Sequence, residues 1–349
     1  MLKILTIVGA RPQFIKAAAL SRAIAETDGL SEVMVHTGQH FDPNMSAVFF
    51  EELGIPMPRH HLDINGGGHG EMTGRMLMAI EPVVLAEKPD WVVVYGDTNS
   101  TLAGALVASK LHIPLAHVEA GLRSFNRRMP EEVNRIVSDH LSTLNLCPTS
   151  AAVSNLAAEG VVKGVRHVGD VMYDATLFAI ENSARNSDPV ASLGLTPKGY
   201  ALATIHRAEN TDDPHQLRKV VQFLQERAQR HPVVLPLHPR TRQSALKFGI
   251  ELAELRVIEP VGYFRMSQLL HSAREVYTDS GGVQKEAYFH RVPCVTLRGE
   301  TEWTETISHG WNRLWDGPDY VKRREILEYG DGRAAFRIVD LLCASSNAA

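Results

Sequence analysis

Cysteine is scarce: the 349 residues hold three, Cys147, Cys294 and Cys343, scattered without the paired spacing of a metal site. That excludes a disulfide framework and fits a reducing compartment. Long apolar runs are missing too. No window approaches the roughly 18 apolar residues that read as a membrane span. The apolar start, Leu2 to Val8, runs straight into Gly9, Arg11 and Pro12, without the longer apolar stretch and small-residue cleavage site of a signal peptide. Neither sign of charge dominates, with 36 basic residues against 40 acidic ones and a formal net charge of -4. No stretch concentrates Lys and Arg as a nucleic-acid surface does. Low-complexity linkers and short repeats are also absent. These absences predict a soluble cytoplasmic protein with neither nucleic acid nor membrane as partner.

What is present is alternation. Short β-branched runs alternate with longer amphipathic stretches along the whole chain, the pattern of βαβ units and parallel sheets. In the first half the expected strands are Ile4 to Val8, Val33 to His36, Trp91 to Tyr95, Leu115 to Val118 and Thr143 to Cys147. In the second half they are Ala201 to Thr204, Val233 to Leu235, Val257 to Ile258, Glu275 to Thr278 and Cys294 to Leu297. The expected fold class is α/β, with two Rossmann-like doubly wound parallel-sheet domains facing an interdomain cleft. The expected domains are residues 1–169 and 170–332, with 333–349 as a C-terminal helix returning to the first.

Ligands of open α/β sheets sit beyond the carboxyl ends of the strands, so the residues just after each strand are the candidates. After the first strand comes "GARPQFIK", which lacks both common phosphate-loop signatures. Gly9 allows a tight turn, and Arg11 and Lys16 flank a helix N-terminus. That set suits an anion, and equally an ordinary solvated first helix. Asp97 follows another strand, as an acid or an N-cap. Glu119 follows the next strand, and Glu131 and Glu132 open a helix behind Pro130, with Arg135 spaced to pair with Glu131. Each is unremarkable singly. Three carboxylates after three neighbouring elements crowd like charge at one rim and offer a general acid beside a general base.

The second half has complementary groups. His206 and Arg207 end a strand, where a histidine donates to phosphate or moves a proton. Ser280, Gly281 and Gly282 join a strand to a helix, where bare glycines let backbone N–H groups approach a phosphate, and Glu286 follows for ribose hydroxyls. Tyr263 and Phe264, at a helix start, are either a platform for a base or core residues.

In order along nearly the whole chain, "GARPQFIK", "TGQH", "GDTNST", "HVEAGLRS", "MPEEVNR", "HRAEN", "DSGGVQKEA" and "YGDG" resemble the non-hydrolysing UDP-N-acetylglucosamine 2-epimerases. The resemblance implies the two-Rossmann, GT-B-like architecture of sugar-nucleotide glycosyltransferases. It implies Asp97, Glu119, Glu131 and His206 as catalytic residues. Arg11, Lys16, Arg135, Arg207, Tyr263, Ser280, Gly281, Gly282 and Glu286 would bind the UDP-sugar. Gln39, His40 and His238 match an activator site, with Arg207 in a matching place as well. No metal or other cofactor is implied, and a homodimer is. The implied reaction inverts C2 of UDP-N-acetylglucosamine by eliminating UDP to a bound glycal and adding it back.

The chain also departs from the family pattern. "RGETEWTE" replaces the usual "RDTTERPE", so that Trp303 and Thr304 stand where Arg and Pro are common. Lys285 stands where an acid is usual, and "PLHPRTR" differs from "H-x-N-P" around His238. The first two departures, with "YGDTNSTLAG", resemble the branch acting on UDP-2,3-diacetamido-2,3-dideoxyglucuronate. A glycosyltransferase of the same architecture, or a non-catalytic UDP-sugar binder, has no use for the three carboxylates.

Overall fold

The computed structural model describes residues 1–39, 53–183 and 188–346. The chain divides into two compact units: Met1–Ala175 joined by Leu327–Ala349, and Thr176–Ile326.

The first unit is built on β1 (Leu2–Val8), β2 (Leu30–His36), β3 (His60–His61), β4 (Trp91–Tyr95), β5 (Leu115–Val118), β6 (Leu144–Cys147) and β7 (Val165–His167). Its order is β3-β2-β1-β4-β5-β6-β7. The second unit holds β8 (Ala201–Thr204), β9 (Val233–Pro236), β10 (Arg256–Ile258), β11 (Glu275–Thr278), β12 (Cys294–Thr296) and β13 (Asn312–Leu314), in the order β10-β9-β8-β11-β12-β13. Every pairing is parallel. The strand order of each sheet reverses once, between β1 and β4 and between β8 and β11, and such switch points are where open sheets bind ligands.

The central strands are buried on both faces, which is why they read as continuous apolar runs. Leu5, Ile7, Val92 and Val94 pack with Val35, Met76 and Ile80 in the first unit, and Ala201, Ala203, Val233, Leu235 and Tyr277 pack with Leu217, Val220 and Leu224 in the second. The alternation did not disclose β3, β7 and β13. Each is a two- or three-residue edge strand, too short to carry a pattern.

The last helix, Ala334–Ser346, belongs to the first unit. Its opening N–H groups, on Ala334 and Ala335, donate to the Asp174 carboxylate at 3.2 and 2.8 Å. Burial lifts the Asp174 carboxyl to about 6 in spite of those donors. Among the described residues no helix is long and apolar enough to cross a membrane.

Candidate functional site

In the first unit the candidates gather at the β1/β4 switch point. Gly9 follows β1, and a Cβ there would lie 2.1 Å from Thr37 Oγ1 and 2.2 Å from Ser100 Oγ, so only glycine fits. Arg11 begins the helix Arg11–Ala25. The Gln13 side chain joins the two strand ends. Its Oε1 accepts from the N–H groups of Gly9 and Ala10 at 2.8 and 3.0 Å, and its Nε2 donates to Tyr95 O at 2.7 Å and Thr98 Oγ1 at 3.0 Å. The side-chain oxygen Oε1 of Gln39 accepts from Ser100 N at 3.1 Å and Ser100 Oγ at 2.8 Å. His40, its companion in the activator motif, lies outside the described residues.

Two of the three acids face cations instead of one another. Glu119 forms a buried ion pair with Lys16 Nζ, and Asp97 pairs with Arg135. Glu119 also sits at φ +70, a left-handed conformation that costs a non-glycine residue roughly 1 kcal/mol or more. Two bonds from its own N–H and that of Ala120 to Leu146 O, at 3.1 and 3.2 Å, hold it there. The like-charge crowding expected at this rim is met by those cations.

The expected Glu131–Arg135 pair is replaced by another arrangement. Arg135 reaches Glu132 Oε2 at 3.0 Å, one residue off the anticipated spacing, and Asp97 on its other side. Glu132 is buried and accepts from Ser124 N, Ser124 Oγ and Phe125 N at 2.9, 3.0 and 2.9 Å. Burial pushes its carboxyl up, but those donors and Arg135 outweigh burial and leave it below the ordinary value. Glu131 is half-buried and pairs with no group among the described residues.

Behind these turns lies a buried polar network that the motifs did not announce. His117 in β5 contacts Asp139 Oδ1 through Nδ1 and Gly96 O through Nε2, each at 2.7 Å. Arg123 bonds to Asp139 Oδ2 at 2.7 Å and reaches Glu159 through Nε at 2.7 Å and Nη2 at 2.8 Å.

In the second unit the β8/β11 switch point collects His206, Arg207 and Ser280 to Gly282. Asp279, fully buried at the end of β11, accepts from His206 N and Arg207 N, both at 3.0 Å, and from Asn210 Nδ2 at 3.1 Å; His206 Nδ1 stands 3.3 Å from its Oδ1. Burial alone would raise the Asp279 carboxyl, yet His206 and the other donors bring it below the ordinary value. The rings of His206 and His238 lie 5.9 Å apart. His238 caps a helix by accepting from Arg240 N at 3.2 Å.

Ser280 caps the helix Gly281–Phe289. A Cβ on Gly281 would stand 2.4 Å from Glu302 Oε1, whereas one on Gly282 would meet nothing closer than Ser280 Oγ at 3.9 Å. Glu302 in turn lies 3.2 Å from Arg298 and 3.9 Å from Arg207. Glu286, in the second turn of the same helix, is buried, as are Tyr263 and Phe264 at the start of another helix.

A family model described as UDP-N-acetylglucosamine 2-epimerase matches residues 22–343. The chain is 58% identical to UDP-2,3-diacetamido-2,3-dideoxy-D-glucuronate 2-epimerase of Pseudomonas aeruginosa, covering 98% of this chain and 99% of that one. It is 42% identical to UDP-N-acetylglucosamine 2-epimerase of Methanocaldococcus jannaschii, with the same coverage. A crystal structure of the Methanocaldococcus jannaschii enzyme in complex with UDP-GlcNAc and UDP superposes with a TM-score of 0.90 at 41% identity, covering 98% of this chain and all of the other.

Proposed function

The chain belongs to the UDP-N-acetylglucosamine 2-epimerase family, and we propose that it inverts C2 of a UDP-linked acetamido sugar, with UDP-2,3-diacetamido-2,3-dideoxy-D-glucuronate as substrate. The observation that carries the substrate is the 58% identity to the glucuronate enzyme over full lengths, against 42% to the Methanocaldococcus jannaschii N-acetylglucosamine enzyme. UDP-N-acetylglucosamine, the family default, is the second reading. A homodimer in the cytoplasm is part of the proposal, on the strength of the family resemblance.

The C2 proton is not acidic enough to leave by itself, so the reaction couples its removal to loss of UDP. A base takes the C2 proton, the C1–O bond breaks with its electron pair going to the departing phosphate oxygen, and a C1–C2 double bond forms. The reverse addition, with the proton arriving on the other face, yields the epimer. Asp97, Glu119 and Glu131 handle the protons. Arg11, His206 and the Ser280–Gly281–Gly282 turn stabilise the diphosphate while it is free, and Lys16, Arg135, Arg207, Tyr263 and Glu286 bind the rest of the nucleotide sugar. The Lys16 and Arg135 ion pairs support this reading, because they hold two of the three carboxylates in fixed orientation at the turns that follow β4 and β5.

Proton NMR in deuterated water tests the reaction. Deuterium entering at C2 of the diacetamido glucuronate, with appearance of the manno epimer, is the expected result. Exchange with UDP-N-acetylglucosamine alone moves the substrate to the second reading, and exchange with neither sugar overturns the function.

A further inference from the structure

His117 makes no contact with solvent, and neither does Asp139. Its two ring nitrogens face two groups that accept: Gly96 O beyond Nε2 and Asp139 Oδ1 beyond Nδ1, each at 2.7 Å. A backbone carbonyl cannot donate, so Nε2 carries a proton. A neutral ring would then turn a bare Nδ1 toward a carboxylate oxygen, two lone pairs at hydrogen-bond distance, unless a proton lies between them. Asp139 Oδ2 already accepts from Arg123 Nη1 at 2.7 Å and Gly121 N at 3.1 Å, so the group is surrounded by donors, which a carboxylate satisfies and a carboxylic acid with its own proton does not. The shared proton therefore belongs to the ring.

We propose that His117 is a positioning residue: a buried imidazolium that ties the turn carrying Asp97 to the turn carrying Glu119. One end of the ring holds the carbonyl of Gly96, the residue before Asp97 and itself at φ +61. The other end holds Asp139, which fixes the N–H of Gly121 two residues after Glu119. The charged groups around it are Asp139 on the helix Pro130–Leu141, Arg123 after β5, Glu159 at the end of the helix Ser150–Ala158, and the Lys16–Glu119 pair beside Gly96. Cys147 in β6 also lies near Asp139, with its thiol pushed up by burial. Because both acids move with their turns, the ring acts on the chemical step and not on nucleotide affinity.

The assignment rests on the proposed reaction, in which Asp97 and Glu119 are working acids. Nitrogen-15 spectra of histidine-labelled protein at neutral pH test the charge, with the His117 signals identified by their loss in His117→Gln. Protons on both ring nitrogens are expected, and one bare nitrogen overturns the assignment. In folded His117→Gln, kcat falls about tenfold or more while UDP affinity stays within about twofold. Retained kcat, or an equal loss of UDP binding, overturns the positioning role. If the variant does not fold, the His117 ring signals are identified in uniformly labelled wild-type protein by through-bond connection to the residue's own backbone amide, and the same two outcomes decide. A wild-type protein that turns over no UDP-sugar overturns the proposed reaction, a result separate from the state of the ring.

Discussion

The ammonium of Lys285 lies 3.9 Å from the centroid of the Trp303 ring, in the buried layer beside the helix Gly281–Phe289. Both residues stand among the departures from the resembled motifs. In the folded chain the two departures meet as a cation over an aromatic face.

The pair should behave as a unit. A desolvated cation–π contact is worth about 2 kcal/mol. Lys285→Glu sets a carboxylate against the electron-rich ring face, and Trp303→Arg sets two cations together, so each lowers Tm. The double variant should recover much of the loss, with a coupling energy of about 1–3 kcal/mol in a double-mutant cycle by thermal unfolding. Simple additivity refutes the pairing.

Asp97→Asn should abolish epimerisation and leave UDP affinity within about twofold, because the amide oxygen still accepts from Arg135 while the base is gone. Calorimetric titration with UDP and the deuterium assay read the two effects separately. Lost UDP binding would make Asp97 structural.

Glu131 and Glu132 should divide chemistry from architecture. Glu132→Gln leaves one carbonyl oxygen for the donors that two carboxylate oxygens serve, and should cost about 1–3 kcal/mol of stability. Glu131→Gln should leave stability within about 0.5 kcal/mol and stop turnover. Thermal unfolding and initial rates on both variants check the division, and the reverse pattern would exchange the roles.

His290 predicts acid sensitivity. Burial, with the charges of His271 and Lys198, lowers its pKa to about 3, so the folded state keeps the ring neutral where the unfolded chain takes up a proton. Stability is full above the unfolded value near 6.5 and declines as pH falls toward 3, at up to about 1.4 kcal/mol per pH unit. His290→Asn removes the titrating ring at the Ser267 contact and should lose less Tm between neutral and mildly acid pH. Parallel losses in the two proteins would rule the mechanism out.

The sequence by itself determined the two α/β sheets, most of their strands and the turns after them. Strands buried on both faces demand apolar β-branched runs, and the switch-point turns demand glycines and polar groups at their ends. Asp97, Glu119, His206 and Ser280 were legible for that reason. Only the tertiary structure decided which first-turn acid faces inward, since Glu131 and Glu132 are equivalent in sequence until Ser124 and Phe125 offer their N–H groups to one of them. It likewise decided that Arg135 serves Asp97 and Glu132, and that His117 faces two acceptors. It also brought Lys285 to Trp303. Periodicity records which face of an element is apolar. The partner of a buried polar group comes from another element distant in the chain, and folding alone brings the two within hydrogen-bond reach.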